Sequence, residues 1–304
     1  MSRRLAALDI GSNTLQLLVA EPADGTLREV RRDEAMPRIG KAVQETGRVG
    51  EEKLGEVVGE VQRFATLARQ QGAEVLLVAA TEAVRRATDR EAVLEAVSRA
   101  AGARCFLISP EAEARLSFRG AVAAHRGPGL SLVADIGGGS TECVLGEDGQ
   151  IEALASVPVG SGSATERWLR TDPPSAEERE ACAAGVREVL SAAPEGDPQR
   201  GIVTGGTATT LPALLGRPRG SAGGTLYRAD LDECRQILAR LPSAEVARQY
   251  GIELARARVL AGGVEIIDAV RERYGLDGVA VSHQGLRDGM ILAHLERGDG
   301  WTRG

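Results

Sequence analysis

The sequence has few of the residues on which metal-binding and disulfide-bonded proteins depend. Its 304 residues include four cysteines, three histidines and only 3% aromatic residues. No two cysteines form a C-x-x-C pair and the histidines lack metal-ligand spacing, so a zinc site is not expected. The sequence instead predicts four buried free thiols in a protein of the reducing cytoplasm.

Long apolar runs and an excess of positive charge are also missing. The apolar run over residues 75–80 is far shorter than the ~20 residues that a membrane span needs. The N-terminus lacks the apolar core and cleavage site of a signal peptide. A formal charge of −6 and a sequence pI of about 5.4 argue against a nonspecific nucleic-acid coat. We therefore expect neither a membrane nor a nucleic acid as partner.

The apolar pattern predicts strands that alternate with helices. Helical spacing predicts helices over residues 51–71 and 91–101, and short apolar runs predict strands over 5–10, 15–20, 75–80 and 104–108. Ser109 and Pro110 are typical of a helix start, and this helix is expected to reach about residue 124. The alternation indicates an α/β fold. The segment at 126–129 divides predicted domains 1–125 and 126–304, and the tail from residue 298 is expected to be frayed.

One strand–turn–strand segment occurs twice. Asp9 begins D-I-G-S-N-T in the first half of the chain, and Asp135 begins D-I-G-G-G-S-T in the second half. Each copy stands between two predicted strands. The repeat therefore predicts two lobes of similar build, each presenting an aspartate and a small-residue turn to a shared cleft.

These turns suit a phosphate ligand. Glycine lets the backbone approach a phosphate closely, and successive N–H groups form a nest for an anion. An aspartate does not bind phosphate itself, but it can hold Mg²⁺ that bridges to the phosphate oxygens. A third turn, G-G-T at residues 205–207, is predicted between a strand and a helix whose N-terminus also attracts anions. Together the turns predict a clamp on a phosphate–metal unit.

Six segments resemble, in order along the chain, the motifs of one family. They are D-I-G-S-N-T at 9–14, A-T-E-A-V-R at 80–85, I-S-P-E-A-E-A-R-L at 108–116, D-I-G-G-G-S-T-E at 135–142, G-G-T-A-T-T at 205–210 and S-H-Q-G-L-R-D-G at 282–289. The sequence thereby resembles the exopolyphosphatase/guanosine pentaphosphate phosphatase family, in its short two-domain form. This resemblance implies an α/β fold of two actin-like (ASKHA, ribonuclease H-like) lobes around a central cleft.

The resemblance also implies roles for single residues. Glu113 matches the base that activates the attacking water, Asp135 the aspartate on the metal and phosphate side, and Glu142 a second acid; these three form the expected catalytic set. Asp9, Asp135 and Glu142 are the expected ligands of Mg²⁺, or of Mn²⁺ in its place. The expected phosphate- and substrate-binding residues are Asp9, Gly11, Ser12, Asn13, Thr14, Arg38, Arg85, Gly137, Gly138, Gly139, Ser140, Thr141, Gly205, Gly206, Thr207 and Arg287.

The spacing of these residues limits which side chains can act together. Glu142 follows Ser140 by two positions on a strand, so both side chains share one face. Glu111 and Glu113 point to different faces of their helix, so only one of them looks into the cleft. The family usually has Gly-Glu-Glu before Ala-Arg, whereas this chain has Pro-Glu-Ala-Glu at 110–113, and Asp288 replaces a glutamate. Arg287 either binds the substrate or pairs with a carboxylate.

The expected function is hydrolysis of a phosphoanhydride. The substrate is inorganic polyphosphate, trimmed from its end, or guanosine pentaphosphate, which loses its 5′ γ-phosphate. Two alternatives remain open: a sugar or acid kinase of the same superfamily, and a non-catalytic sensor of polyphosphate or nucleotides. A homodimer is also left open. Few cations stand near the motifs, which predicts a preference for short polyphosphate; they are Arg38, Lys41, Arg85, Arg256 and Arg287.

Overall fold

The chain divides into two units in a computed structural model that describes residues 3–12, 14–23, 25–147, 149–217 and 224–303. Unit 1 comprises Met1–Ala123 and Gln284–Gly304, and unit 2 comprises Ala124–His283. The first boundary lies within two residues of the predicted division at 125/126. The structure differs from the prediction at the other end, because the last segment of the chain belongs to unit 1 rather than to a domain 126–304.

Unit 1 contains a five-stranded sheet and the helices that cover it. Its elements up to residue 124 are β1 (Arg4–Ile10), β2 (Leu15–Ala23), β3 (Thr26–Ala35), α1 (Ile39–Thr46), α2 (Glu51–Gln70), β4 (Ala73–Ala80), α3 (Glu82–Arg86), α4 (Arg90–Ala101), β5 (Cys105–Leu107) and α5 (Pro110–Ala124). The strand order is β3-β2-β1-β4-β5. β1 pairs antiparallel with β2 and parallel with β4, so the first Asp-turn joins two neighbouring antiparallel strands.

Both faces of β1 are buried, which explains its nearly continuous apolar sequence. Ala6, Leu8 and Ile10 pack in one cluster with residues of α2 and α4. Leu5 and Ala7 point to the other face, where they join a cluster with residues of α5. The alternation of side chains along a strand thus places β1 at the centre of unit 1.

Unit 2 contains a six-stranded sheet of order β10-β11-β9-β6-β7-β8. Its elements are β6 (Ser131–Ile136), β7 (Thr141–Glu147), β8 (Gln150–Val157), α6 (Ser161–Trp168), α7 (Ala176–Leu190), β9 (Arg200–Thr204), α8 (Gly206–Leu214), β10 (Thr225–Tyr227), α9 (Arg228–Arg240), α10 (Ser243–Tyr250), α11 (Leu254–Ala257), α12 (Leu260–Arg273) and β11 (Gly278–Val281). β6 pairs antiparallel with β7 and parallel with β9, as β1 does with β2 and β4. Helix α12 is almost entirely buried.

The C-terminal segment packs into unit 1 as α13 (Leu286–Arg297) and a short 3-10 helix (Gly298–Arg303). Met290 and Ile291 are fully buried in the cluster that contains Leu5 of β1. The side chain of Trp301 is 1% exposed, and its ring meets Phe106 edge-on at 5.4 Å between centroids. The predicted fraying from residue 298 is therefore wrong, because an indole buried in a core anchors this end.

The α/β fold class is confirmed, and so are the free thiols. All four cysteines are buried and unbridged. Helix α5 begins at Pro110, and the Ser109 hydroxyl accepts a hydrogen bond from the Ala112 N–H at 3.2 Å, as the predicted cap requires. Among the described residues, no helix has both the length and the apolar character to cross a membrane.

Candidate active site

The first Asp-turn hairpin consists of β1, β2 and the turn between them. Asp9 lies near the end of β1, opposite Gln16 of β2. Gly11 closes the turn by donating its N–H to the Thr14 carbonyl at 3.0 Å. A Cβ at Gly11 would lie 2.9 Å from that same oxygen, so the turn requires glycine there. Asn13, a predicted phosphate-binding residue, lies outside the described residues.

The first turn of α1 supports this turn. The Gly40 N–H donates to the Ser12 carbonyl at 2.6 Å. Arg38 precedes α1 with a φ of 56°, and its side chain is exposed. A left-handed backbone at a non-glycine residue costs about 1 kcal/mol or more, and such residues concentrate at functional sites. The exposed Arg38 therefore lies two residues before Gly40, whose N–H binds the turn.

Arg287 lies in the same unit as Asp9 and interacts with it electrostatically. Its guanidinium donates to the Leu17 carbonyl at 3.3 Å. Burial lowers the pKa of Arg287 to about 10, and the neighbouring Arg32 guanidinium adds to this effect, while Asp288 and Asp9 oppose it. Burial also raises the pKa of Asp288, whose carboxylate accepts the Gly285 N–H at the start of α13. Because the hydrogen bond from Arg287 goes to a backbone carbonyl, both of its predicted roles stay predictions.

Glu113 projects from the first turns of α5 and is held by Arg85 of α3. The Arg85 guanidinium donates to the Glu113 carboxylate at 2.8 Å and, through the same nitrogen, to the Ile108 carbonyl at 2.9 Å. The Arg85 side chain is 20% exposed and that of Arg86 62% exposed, so one of the two adjacent arginines points inward, as predicted. This charge-assisted hydrogen bond fixes the position of the Glu113 carboxylate.

The second Asp-turn hairpin consists of β6, β7 and the loop between them. Asp135 stands directly opposite Glu142 in the β6–β7 register. The hydroxyls of Ser140 and Ser156 both donate to one oxygen of Glu142, each at 2.8 Å. Ser140 and Glu142 share a strand face as predicted. Ser156 was not predicted, because it reaches Glu142 only through the β7–β8 pairing, which the sequence alone does not specify.

The third turn lies against Asp135. Gly205 has a φ of 95°, and a Cβ built there would stand 3.1 Å from an Asp135 carboxylate oxygen and clash with the Ile136 carbonyl. Glycine is therefore required at this position for two reasons. Helix α8 begins at Gly206, and the guanidinium of Arg256 covers that residue so closely that a Cβ would overlap it. A carboxylate, a helix N-terminus and an arginine thus meet within unit 2.

Two predicted phosphate-binding side chains differ from expectation because they are fully buried. The Thr141 hydroxyl donates to the Val159 carbonyl at 2.6 Å, so it serves the fold. The Thr207 side chain packs against Gly263 of α12, and its hydroxyl has no hydrogen-bond partner among the described residues. By contrast Gly138 and Gly139 are exposed, and Gly137 and Ser140 close their loop through an N–H···O bond of 2.9 Å.

The acids of unit 2 are the best arranged for a metal. Asp135 and Glu142 face each other across two strands, whereas Asp9 faces the amide Gln16. The described residues contain no group of three or more His, Cys, Asp or Glu side chains that could hold a metal ion alone. Mg²⁺ usually binds one or two carboxylates together with substrate phosphates and water, so the donor set of the second hairpin fits it. The predicted shared cleft stays a prediction.

Comparisons with known proteins agree with these motifs. The sequence model of the Ppx/GppA phosphatase family matches residues 18–298. Exopolyphosphatase 2 of Mycobacterium tuberculosis is 32% identical over 313 residues, covering 95% of this chain and 98% of the relative. Guanosine-5′-triphosphate,3′-diphosphate pyrophosphatase of Vibrio vulnificus is 26% identical, over 97% of this chain but 60% of its own length.

Solved structures show the same likeness. A crystal structure of the Aquifex aeolicus member of the Ppx/GppA protein family matches with a TM-score of 0.88 and 30% identity. The match covers 98% of this chain and 99% of the Aquifex chain. The similarity therefore extends over both units.

Proposed function

Because the chain belongs to the Ppx/GppA phosphatase family, we propose that it releases the terminal phosphate of inorganic polyphosphate by water attack. The observation that carries the proposal is the ion pair of Glu113 and Arg85, which fixes one carboxylate at the start of α5. Phosphoanhydride hydrolysis depends mainly on positioning and charge neutralisation. An oriented base, anion-binding turns and a bound cation are the parts that such a reaction needs.

Glu113 is the proposed general base. Its ion pair with Arg85 holds the carboxylate in place, where it can take a proton from water as the oxygen attacks phosphorus. Arg85 engages Glu113 and Ile108 through one nitrogen, and no other acceptor in the described part of the chain takes a hydrogen bond from it. Its remaining N–H groups are the proposed donors to a substrate phosphate, so one arginine would orient both the base and the group it attacks.

The turns of both units are the proposed phosphate binders. In unit 2, the exposed Gly138 and Gly139 supply backbone N–H groups, and Arg256 supplies charge above the N-terminus of α8. Asp135 and Glu142 are the proposed holders of Mg²⁺. When bound, Mg²⁺ or Mn²⁺ would neutralise phosphate charge.

We rank inorganic polyphosphate above guanosine pentaphosphate as the substrate. The relative named exopolyphosphatase matches over nearly its whole length, whereas the relative named pyrophosphatase matches over 60% of its length. The few local cations support a preference for short chains, because each extra phosphate needs a nearby positive charge.

The test is phosphate release from polyphosphate of defined length, guanosine pentaphosphate and ATP, by the parent protein and Glu113→Gln. We expect kcat to fall by roughly 10²–10⁴ in the variant, the usual contribution of a general base. KM should change little because the amide keeps the shape of the carboxylate. Glu111→Gln is the matched control, since Glu111 is exposed on another face of α5.

Two results would contradict the proposal. Near-normal kcat in Glu113→Gln would remove this residue from the mechanism. Phosphate transfer from ATP that requires a sugar or acid acceptor, without release from polyphosphate, would favour the kinase alternative.

A further inference from the structure

Three successive carbonyl groups of the loop between β6 and β7 are bound by one helix. The Gly137 carbonyl accepts the Ser161 N–H at 2.9 Å, and the Gly138 carbonyl accepts the Ser163 N–H at 2.9 Å. The Gly139 carbonyl accepts the Ser163 hydroxyl at 3.3 Å. Three successive loop carbonyls are thus bound by the first turn of α6.

This arrangement fixes the direction of the N–H groups as well. In a trans peptide the C=O and the following N–H point in opposite directions. Because the carbonyls of Gly137, Gly138 and Gly139 point at α6, the N–H groups of Gly138, Gly139 and Ser140 point away from it. None of these three N–H groups donates to another group within the described residues. Successive N–H groups without a protein partner are the donors from which an anion nest can be built.

Close packing keeps α6 against the loop. A Cβ at Gly160 would lie 2.5 Å from the Gly138 carbonyl carbon, and one at Gly162 would lie 2.9 Å from the Gly138 oxygen. The buried Thr141 hydroxyl holds the residue before Gly160 by donating to the Val159 carbonyl. The glycines therefore allow contact that any side chain would prevent.

We propose that the first turn of α6 positions the phosphate loop of unit 2, with Ser161 and Ser163 as positioning residues. By binding the carbonyls, they set three N–H donors for an anion before it arrives, so that binding does not have to order the loop. This inference rests on the proposed function, because the anion is taken to be a phosphate of the substrate.

The experiment compares the parent with the double variant Ser161→Ala/Ser163→Ala, using inorganic tripolyphosphate as substrate. The variant loses four hydroxyl contacts: Ser161 to the Gly137 carbonyl, Ser163 to the Gly139 and Gly160 carbonyls, and the Gly160 N–H to Ser163. We expect KM to rise about 5- to 30-fold, the effect of one to two lost hydrogen bonds. The value of kcat should stay within threefold, because loop order contributes to ground-state and transition-state binding alike.

A second readout does not depend on activity. The backbone N–H groups of residues 161 and 163 bind loop carbonyls, so their hydrogen exchange in the ligand-free protein reports the contact directly. We expect faster exchange in the double variant and in Gly160→Ala. If the parent released no phosphate from any phosphoanhydride, the proposed function would fail while this measurement still tested the positioning.

Two single variants outside the loop and α6 serve as controls. Ser191→Ala removes an exposed serine whose hydroxyl bonds the Glu188 carbonyl, and Gly59→Ala adds a methyl group in open space. Both should leave KM and exchange unchanged. A loss of kcat at constant KM, or unchanged KM and exchange in the double variant, would overturn the proposal. If Gly160→Ala failed to fold, the double serine variant would still test the contact between α6 and the loop, so the proposal could still be overturned.

Discussion

The two Asp-turn hairpins share a topology but differ in what stands opposite the aspartate. Unit 1 orders its strands β3-β2-β1-β4-β5, and unit 2 repeats this order as β8-β7-β6-β9-β11. Asp9 faces an amide, Gln16, whereas Asp135 faces a second acid, Glu142. One duplicated scaffold therefore carries a single carboxylate in one copy and a pair in the other.

Among the described residues, the turn of the second hairpin is also held by more hydrogen bonds than that of the first. In unit 1, among the turn residues that the structure describes, α1 binds the carbonyl of Ser12. In unit 2, α6 binds three loop carbonyls, and two serine hydroxyls hold Glu142. Arg287 partly offsets the charge of Asp9. The pair of acids makes the second hairpin the proposed holder of a cation, while the first hairpin lies in the same unit as the Glu113–Arg85 pair.

The largest expected effect is the difference in activity between replacing Asp135 and replacing Asp9. Asp135→Asn should lower kcat about 10²–10³-fold at a fixed Mg²⁺ concentration, because it removes preorganised charge from the proposed metal-binding hairpin. Added Mg²⁺ should recover part of that loss. Asp9→Asn should cost less and should not respond to Mg²⁺. Phosphate release across a Mg²⁺ titration measures both, and full activity of the parent after exhaustive EDTA treatment would refute a metal role altogether.

A smaller effect is expected from exchanging the residues opposite the aspartates. Glu142→Gln should raise the half-saturating Mg²⁺ concentration about 10- to 100-fold. Gln16→Glu should not rescue it, since Gln16 already contacts Glu34 and a new acid opposite Asp9 would add like-charge repulsion of up to about 1 kcal/mol. Mg²⁺ titrations of both single variants and the double variant are the measurement. If the double variant regained the half-saturating Mg²⁺ concentration of the parent, the proposed difference between the two hairpins in holding Mg²⁺ would be wrong.

Local sequence patterns predicted the parts of this comparison that depend on near neighbours. Strand alternation put Ser140 and Glu142 on one face, and the same alternation assigns Thr141 to the opposite, buried face. Its burial could have been predicted from that rule. The cap at Ser109 and the spacing of Glu111 and Glu113 were likewise local and were confirmed.

Contacts between distant segments could not be predicted in this way. The apolar residues of α13 indicate a buried helix, but not that its partner is β1, more than 270 residues earlier. Ser156 reaches Glu142 through strand register, and Ser163 reaches Gly139 through helix packing. A single sequence carries no signal for these pairings, because many registers satisfy the same apolar pattern.

The smallest expected effect concerns a buried thiol close to an acid of each hairpin. Cys143 lies in β7 of the second hairpin, whereas Cys105 lies in β5, outside the first. Burial, and then the charge of Asp9, raises the pKa of Cys105 to about 12; burial, and then Glu142, does the same for Cys143. An unfolded thiol ionises near pH 9. Between these values the native state binds more protons than the unfolded state, so stability should fall as pH rises.

At pH 10 each thiol should lower the free energy of unfolding by roughly 1 kcal/mol relative to pH 8. Urea unfolding at the two pH values measures this loss for the parent, Cys105→Ala and Cys143→Ala. Each alanine variant should lose less stability on going to pH 10 than the parent, whatever its absolute stability. Burial is the largest cause of the raised pKa of both thiols, so the two alanine variants should reduce the loss of stability by similar amounts. A reduction confined to one variant would mean that the nearby acid, rather than burial, controls the pKa of the thiol, and the two units would then differ in this respect too.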